Sequence, residues 1–214
     1  MAQPIPTDVF HMTRIERLPS IIKHGLLPDN EVRSRGLTGV EIGYSHIKER
    51  RAKRPVPCGP RGTLADYVPF YFAPRSPMLY AISHGRVSTE AAQTDRIVYL
   101  VSTTQQLRAG GLKVVLSDRH AELAYAEFCK DGRQPSGDGF IDWPLMREQQ
   151  WANTAQDTDR KERRQAECLV HAGVPWSSLL EVVTKTTAAA REVSETLASW
   201  GDPMEVSVRR EWYF

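Results

Sequence analysis

Short runs of β-branched and aromatic residues, separated by equally short helical segments, most constrain the fold of this chain. Such runs favour strands, because these side chains pack well on a pleated surface. After one of them, Ser76 predicts a helix N-cap, Pro77 the first helical position and Gly85 the helix end. Interleaved short strands and helices indicate an α+β or mixed α/β fold. The predicted strands are residues 9–13, 66–73, 96–103, 113–117, 166–170, 181–186 and 204–210, and the predicted helices lie within residues 14–25, 41–53, 74–85, 117–128, 142–151 and 187–200, with a further helix from residue 176.

Length and cysteine content narrow the class of protein. A chain of 214 residues is expected to form a single domain, residues 1–214, with an ordinary core. Cys58, Cys129 and Cys168 are odd in number and widely spaced, which argues for a reducing cytosol and against a disulfide framework or a zinc site. No histidine lies near a cysteine at ligand spacing, so no metal is expected. No membrane span or signal peptide is predicted either, and we expect a cytoplasmic protein.

Positive charge is concentrated in two places although the net charge is only +2. The run KERRAKR covers residues 48–54 and the run RKERR covers residues 160–164. Most such runs are solvated faces. Because both lie beside candidate chemistry, an anionic partner is the alternative that we carry forward.

One carboxylate, Glu167, stands inside an apolar run. In a strand, Ala166, Cys168 and Val170 share one face, and Glu167 and Leu169 share the other. Burying this charge costs several kcal/mol unless it is paired. Glu167 is therefore either a strand residue that points to water or a functional group.

Familiar nucleotide and hydrolase motifs are missing from the sequence. We find no G-x-G-x-x-G, no G-x-x-x-x-G-K-[ST], no G-x-S-x-G and no H-E-x-x-H. Rossmann, P-loop, serine-hydrolase and zinc-protease functions are therefore unsupported.

The remaining motifs follow in a fixed order: His11 lies in a strand that ends in FHMT, Phe-Tyr-Phe-Ala at 70–73 is followed by Ser76 and Tyr80, and Glu167 comes later. This order resembles that of the ADP-ribosyltransferases, in their diphtheria-toxin and poly-ADP-ribose-polymerase branch. More specifically, the segments HIKERRAKRPVP, DYVPFYFAPRSPMLYAI, SDRHAELAYAEF, RRQAECLV and REWYF resemble the DarT family over nearly the whole chain. The resemblance implies the ADP-ribosyltransferase fold, with split mixed β-sheets that form an NAD cleft flanked by short helices.

The same resemblance implies a function. DarT proteins are bacterial toxins that transfer ADP-ribose from NAD to a base in single-stranded DNA, and DarG is their antitoxin. The ERR arm, residues 49–51, looks closer to the thymine-modifying branch than to the guanine-modifying branch. We therefore expect NAD to be consumed as co-substrate, single-stranded DNA and a DarG-like macrodomain antitoxin as partners, and a monomer.

Three residues are the catalytic candidates. Glu167 would hydrogen-bond a ribose hydroxyl and stabilise positive charge on the ribose as nicotinamide leaves. The resemblance maps the catalytic arginine of the family onto Arg51. We expect Arg51 to stabilise the anion that develops on the base, since an arginine is a poor proton acceptor. Glu167 or His120 would receive the proton; alternatively, His120 is a surface histidine at a helix start.

Six residues are candidates for binding NAD. Tyr71 and Tyr80 would stack on nicotinamide, a flat cation, with Ser76 near its carboxamide. His11 and Thr13, on one face of a strand, would contact the riboses. Arg75 would pair with a phosphate or cap the turn between strand and helix. Core packing is the alternative for Tyr80, and a structural half-buried histidine is the alternative for His11.

Candidates for binding DNA lie before Glu167 and on the basic arm. Trp151 would stack a base. The charged side chains would hold phosphates. The candidates are Tyr44, His46, Trp151, Arg160, Lys161, Arg163 and Arg164.

Two other functions remain open from the sequence. A related transferase would modify guanine, RNA or protein side chains, and the fold also has 2′-phosphotransferase relatives. A protein of another class, a catalytically inactive single-strand-binding module, would keep the basic runs without needing both Arg51 and Glu167.

Overall fold

A computed structural model describes residues 3–37, 45–86, 94–130 and 139–214 of the chain. Over these residues, eight strands form one mixed sheet in the order β5-β4-β6-β2-β1-β3-β7-β8. β7 and β8 pair in parallel, and the other neighbours pair antiparallel. The strands are β1 (Asp8–Arg14), β2 (Tyr67–Tyr71), β3 (Ile97–Thr103), β4 (Val114–Ser117), β5 (Phe128–Lys130), β6 (Glu167–His171), β7 (Glu181–Thr184) and β8 (Glu205–Val208).

Short helices connect these strands and confirm the α+β class. Ser76 caps its helix as predicted, because its hydroxyl accepts a hydrogen bond from the Leu79 N–H at 3.2 Å. The helices are α1 (Leu18–His24), α2 (Asp29–Ser34), α3 (Ser45–Arg51), α4 (Pro77–Ser83), α5 (Thr104–Ala109), α6 (Trp143–Arg147), α7 (Arg160–Arg163) and α8 (Thr187–Ser199). None of the described helices is long and apolar enough to cross a membrane. The predicted helix at residue 176 is a single 3-10 turn, Trp176–Ser178.

The predicted helix over residues 117–128 is wrong. Residues 118–127 form an irregular connection between β4 and β5, which we call the β4–β5 loop. Asp118 does not cap a helix, because its carboxylate accepts a hydrogen bond from the Glu127 N–H at 2.8 Å and so closes the loop. Arg54 donates to the carbonyls of Leu123 and Ala124 at 3.0 Å each. Contacts with the rest of the fold thus replace the hydrogen bonds of a local helix.

The middle of the sheet opens between β1 and β2. These strands share one residue pair, Phe10 with Tyr71, and then diverge. Pro69 supplies the reason, because proline has no N–H to donate to a neighbouring strand. The Pro69 carbonyl instead accepts a hydrogen bond from the His11 side chain, with Nδ1 at 2.8 Å. The predicted split is therefore present as two halves of one sheet, which are joined between β1 and β2 by a single residue pair. A cleft lies where these two strands diverge.

Both faces of the sheet are covered by apolar side chains. Every residue of β3 is buried, which requires packing on either side of that strand. Val98 and Leu100 contribute to one core, and Ile97 and Tyr99 contribute to the core on the opposite face. The second core includes Tyr213 from the end of the chain.

Substitutions of Tyr213 test how much the C-terminal segment contributes to the stability of the fold. Its side chain is 2% exposed, and its hydroxyl lies 3.2 Å from the Ile97 carbonyl and 3.0 Å from the Val183 carbonyl. We expect Tyr213→Phe to lower the free energy of unfolding by about 1 kcal/mol through the lost hydrogen bond. We expect Tyr213→Ala to lower it by about 3–5 kcal/mol through the cavity.

Urea unfolding followed by circular dichroism measures both values. Val208→Ala, at a strand residue that is 44% exposed, is the control and should change stability by less than about 0.5 kcal/mol. Equal stability of the Tyr213→Ala variant and the unmodified chain would show that the C-terminal segment does not contribute to the core.

Candidate active site

A cleft of about 520 Å³ lies where β1 and β2 diverge. Its walls bring together residues that are far apart in the sequence. Predicted site residues that line it are His11, Thr13, Arg51, Tyr71, His120, Lys161 and Glu167. All three catalytic candidates are therefore in one cleft.

Glu167 is the first residue of β6 and lies in the centre of the sheet. It pairs with Tyr71 of β2 on one side and with Ser117 of β4 on the other. The residue is 1% exposed, so it does not point to water. The N–H of Ala121, in the β4–β5 loop, donates to its Oε1 at 3.0 Å.

Arg51, the last residue of α3, supplies the opposite charge. Its Nη1 donates to both carboxylate oxygens of Glu167, at 3.1 and 3.0 Å. Burial by itself lowers the pKa of Arg51, but the adjacent carboxylate outweighs it and raises this pKa above the ordinary value. The other terminal nitrogen, Nη2, is buried and has no hydrogen-bond partner among the described residues. Arg51 is only 8% exposed and lines the cleft, so a buried cation with one unpartnered nitrogen forms part of the cleft wall.

His120 lies beside this pair. Its Nε2 is 3.8 Å from Oε1 of Glu167. Burial lowers the pKa of His120 below the ordinary value, and the Glu167 carboxylate opposes that shift only in part. The imidazole is therefore neutral at neutral pH and can accept a proton.

The β1 wall of the cleft carries His11 and Thr13. Burial, opposed by the hydrogen bond to the Pro69 carbonyl, lowers the pKa of His11 to about 4. Because a carbonyl only accepts, neutral His11 must donate from Nδ1, and its Nε2 is left as an acceptor. Tyr71 faces the same cleft, and burial next to Glu167 raises the pKa of its hydroxyl, which stays protonated.

The other predicted NAD residues have structural contacts. The Ser76 hydroxyl caps α4, and the residue is 1% exposed. The Arg75 guanidinium donates to the Tyr213 carbonyl at 2.6 Å and stacks on Phe214 at 4.3 Å. Contact of Ser76 or Arg75 with NAD stays a prediction. Tyr80 is half-buried and packs against the rings of His84, Trp151 and Phe214.

The basic run at 48–54 is mostly used inside the protein. Lys48 pairs with Asp29 at 3.2 Å, Arg51 with Glu167, and Arg54 with two loop carbonyls. Arg50 pairs with Glu122, while Lys53 is exposed. These contacts join the run to α2, to β6 and to the β4–β5 loop, and contact of the run with an anionic partner stays a prediction.

The second run, residues 160–164, is also engaged within the protein. Arg164 is 3% exposed and donates to the carbonyls of Pro74, Leu145 and Glu148, and burial lowers its pKa to about 10. Arg163 pairs with three carboxylates, those of Asp142, Asp157 and Asp159. Contact of Arg163 or Arg164 with phosphate stays a prediction.

The remaining DNA candidates differ in how accessible they are. Arg160 pairs with Glu148 and donates to the Gln150 carbonyl at 2.9 Å. Lys161 is the basic residue of this run whose side chain is exposed. His46 is exposed on α3. Trp151 is half-buried, and its indole N–H has no hydrogen-bond partner among the described residues. Tyr44 lies outside the described residues.

Comparison with known proteins identifies the family. A family model described as "ssDNA thymidine ADP-ribosyltransferase, DarT" matches residues 10–214. The chain belongs to the DarT family. It is 36% identical to a DNA ADP-ribosyl transferase of Thermus sp. strain 2.9, over 99% of this chain and 98% of the relative. It is 38% identical to one of Thermus aquaticus, over 100% of this chain and 92% of the relative.

Solved DarT structures share the fold along the whole chain. Thermus sp. 2.9 DarT in complex with ADP-ribosylated single-stranded DNA matches with a TM-score of 0.89 at 34% identity, covering 100% of this chain and 99% of that one. The same protein in complex with NAD+ matches with a TM-score of 0.86 at 33% identity, covering 100% of each chain. The expected ADP-ribosyltransferase fold is thereby confirmed.

Sequence reasoning missed several residues that shape the DarT site. Pro69 opens the cleft, and a proline inside a strongly strand-like run was the available signal. The Ala121 N–H gave no signal, because any residue has this donor. Glu122, next to His120 in the β4–β5 loop, was also missed. Within the described ranges, no three His, Cys, Asp or Glu residues are grouped so that they could hold a metal ion.

The buried pair can be tested by its effect on the stability of this DarT chain. Removing one partner leaves an unpaired buried charge, so we expect Arg51→Met and Glu167→Leu each to lower the free energy of unfolding by about 3–5 kcal/mol. The double variant should lose clearly less than the sum of the two, because neither charge remains.

Urea unfolding of the four proteins measures the coupling. Arg50→Met is a matched control on the same helix, since the Arg50 side chain is 59% exposed and its ion pair should be worth only about 0–1 kcal/mol. Additive losses in the double variant would mean that Arg51 and Glu167 stabilise the fold independently.

Proposed function

We propose that this chain transfers ADP-ribose from NAD to a thymine base in single-stranded DNA, releases nicotinamide and prefers particular base sequences. The observation that carries the proposal is the buried Arg51–Glu167 pair, which faces a cleft with one arginine donor unused. Such a pair is costly to fold, and burial of this kind with a perturbed arginine is typical of a functional site.

The cleft suits NAD in size and in its polar groups. Its volume of about 520 Å³ is within the range of pockets that take molecules of this class. The His11 Nε2 acceptor and the Thr13 hydroxyl lie on one wall, where they can hydrogen-bond ribose hydroxyls. Tyr71 offers an aromatic surface next to Glu167. In this proposal Tyr80, Ser76 and Arg75 also contact NAD, and the support for these three residues is the family pattern.

Glu167 would stabilise the breaking of the glycosidic bond. When nicotinamide leaves, positive charge develops on the attached ribose. A carboxylate fixed by Arg51 and by the Ala121 N–H does not have to reorient as that charge appears. Fixed charges of this kind, shielded from water, commonly supply the largest part of a rate enhancement.

Arg51 and His120 would prepare the base. The ring nitrogen of thymine is a poor nucleophile until it loses its proton, and the negative charge then resides on the flanking carbonyls. The unused Nη2 of Arg51 can donate to such a carbonyl. In this proposal neutral His120, whose Nε2 is 3.8 Å from Oε1 of Glu167, takes the proton.

The accessible residues suggest how a strand would be held. Lys161 is exposed and also lines the cleft, and His46 is exposed on α3. Trp151 is half-buried against Tyr80, and in this proposal the accessible part of its indole stacks on a base. Tyr44 stays a prediction from the sequence. A single strand offers its bases without the cost of unpairing.

Other assignments rest on the family resemblance. We propose a DarG-like macrodomain antitoxin as partner, a monomeric enzyme and the bacterial cytoplasm as its location. Modification of guanine, RNA or protein is the nearest alternative function. An inactive single-strand-binding module is disfavoured, because it has no need of a buried ion pair at a cleft.

The transfer reaction gives the main test. We expect the unmodified chain to attach labelled ADP-ribose from NAD to a mixed-sequence DNA oligonucleotide, with the added mass on thymine by tandem mass spectrometry. Glu167→Gln keeps the shape but removes the charge, and we expect it to slow transfer by at least about 100-fold.

RNA and protein substrates of matched amount serve as comparisons in the same assay. Arg191→Gln, at an exposed position of α8, is the control variant and should transfer at the normal rate. Label on protein or RNA with none on DNA would overturn the proposal, and so would unchanged transfer by the Glu167→Gln variant.

The salt dependence of DNA binding tests which basic side chains contact phosphates. For single strands, log Kd changes by about 0.7 per log salt for each phosphate neutralised. Most basic residues of the two runs are already engaged in contacts within the protein, so we expect a slope that corresponds to only a few phosphates. If every basic residue of the runs bound a phosphate, the slope would correspond to nine phosphates. Lys161→Ala should reduce this slope by about 0.7, since Lys161 is exposed at the cleft.

Fluorescence anisotropy with a labelled oligonucleotide at several salt concentrations measures the slope. Arg191→Ala removes an equal charge from α8 and should leave the slope unchanged. A slope near that for nine phosphates, or no effect of Lys161→Ala, would contradict the assignment.

A further inference from the structure

Glu122 is a second carboxylate at the cleft, and it lies on the far side of His120 from Glu167. The His120 Nδ1 is 3.7 Å from Oε2 of Glu122, while its Nε2 is 3.8 Å from Oε1 of Glu167. The imidazole is therefore between two carboxylates. Glu122 has only 11% of its side chain exposed and lines the same cleft.

Adjacent arginines of α3 hold the two carboxylates. Arg51 binds Glu167, and Arg50 binds Glu122 through an ion pair at Nε and a hydrogen bond from Nη2 at 3.3 Å. The backbone of His120 is fixed as well, because its N–H donates to the Glu162 carbonyl at 3.1 Å. Position and surroundings of the imidazole are thus set by α3, α7 and β6 together.

We propose that Glu122 is a positioning residue for His120 in the transfer reaction. Glu122 places a second negative charge beside the imidazole, on the opposite side from Glu167. It also stabilises the imidazolium that forms when the proton arrives. The inference rests on the proposed function in assigning His120 as the proton acceptor.

The step balances with these groups alone. The ring nitrogen of thymine gives its proton to Nε2 of His120 and uses its electron pair to form a bond to C1 of the ribose. The bond from that carbon to nicotinamide breaks, and its electron pair leaves with nicotinamide. His120 carries the released proton, between Glu122 and Glu167, until water removes it.

Charges around His120 determine the direction of the expected effects. Glu167 and Glu122 favour the imidazolium, whereas burial and the nearby Arg51 and Arg50 disfavour it. Removing the charge of Glu122 should therefore lower the His120 pKa further. An opposite charge at this distance typically shifts a pKa by about 1 unit or more.

Nitrogen-15 NMR of the histidine rings in the free protein tests the positioning without NAD or DNA. Glu122→Gln and Glu122→Ala both remove the charge beside the imidazole, so each should lower the His120 pKa by about 1 unit. Glu127→Gln, an exposed carboxylate of the same loop, should leave this pKa unchanged.

Single-turnover transfer rates provide the second readout. We expect Glu122→Gln to slow transfer by about 10-fold to 100-fold, with little change in KM for NAD. In a His120→Ala background, Glu122→Ala should have no further effect, because its role is exercised through the imidazole. A purely structural role would slow both backgrounds equally.

Two results would overturn the inference: an unchanged His120 pKa in the folded Glu122→Gln protein, or an equal loss from Glu122→Ala in both backgrounds. The NMR result also separates this inference from the proposed function. Absence of any DNA modification by the unmodified chain would reject the function, whereas an unaltered imidazole in the variants would reject the role of Glu122.

Discussion

The buried ion pair between Arg51 and Glu167 is the interaction on which the rest of this structure depends. It joins the end of α3 to β6, an interior strand of the sheet, in a place where either charge alone would be destabilising. A third contact, from the Ala121 N–H, brings in the β4–β5 loop. Arg51 is the only buried residue within α3 as the structure describes it, so the polar contacts at the cleft contribute directly to the position of this helix.

Much of the fold could be predicted from the sequence where local signals and long-range contacts agree. The β-branched strands and the Ser76–Pro77 helix start are examples. The β4–β5 loop failed, because residues with helical propensity are held by a distant arginine, Arg54. Tertiary contacts readily override propensities of a few tenths of a kcal/mol per residue. Helices of four to six residues, such as α2, α5 and α7, are too short to show a periodic pattern.

The candidate site was predictable in part. The family pattern selected Arg51, His120 and Glu167, and the structure places them in one cleft. The internal contacts of the charge runs could not be predicted, because neighbouring arginines look equivalent in a sequence. Their partners are remote: Glu122 is 72 positions from Arg50, and Asp142 is 21 positions from Arg163. A linear pattern shows where basic residues are concentrated, but only the fold shows which of them are already neutralised.

The proline in β2 has a consequence for ligand entry. Because Pro69 cannot donate to β1, β1 and β2 lie apart in the folded chain. The Pro69 carbonyl accepts its hydrogen bond from the His11 side chain instead of from a backbone N–H of β1. A molecule that enters the gap has no ladder of backbone hydrogen bonds to break. The cleft is thus preorganised because a backbone donor is missing. A ligand does not have to separate paired strands, so that cost does not weaken its binding.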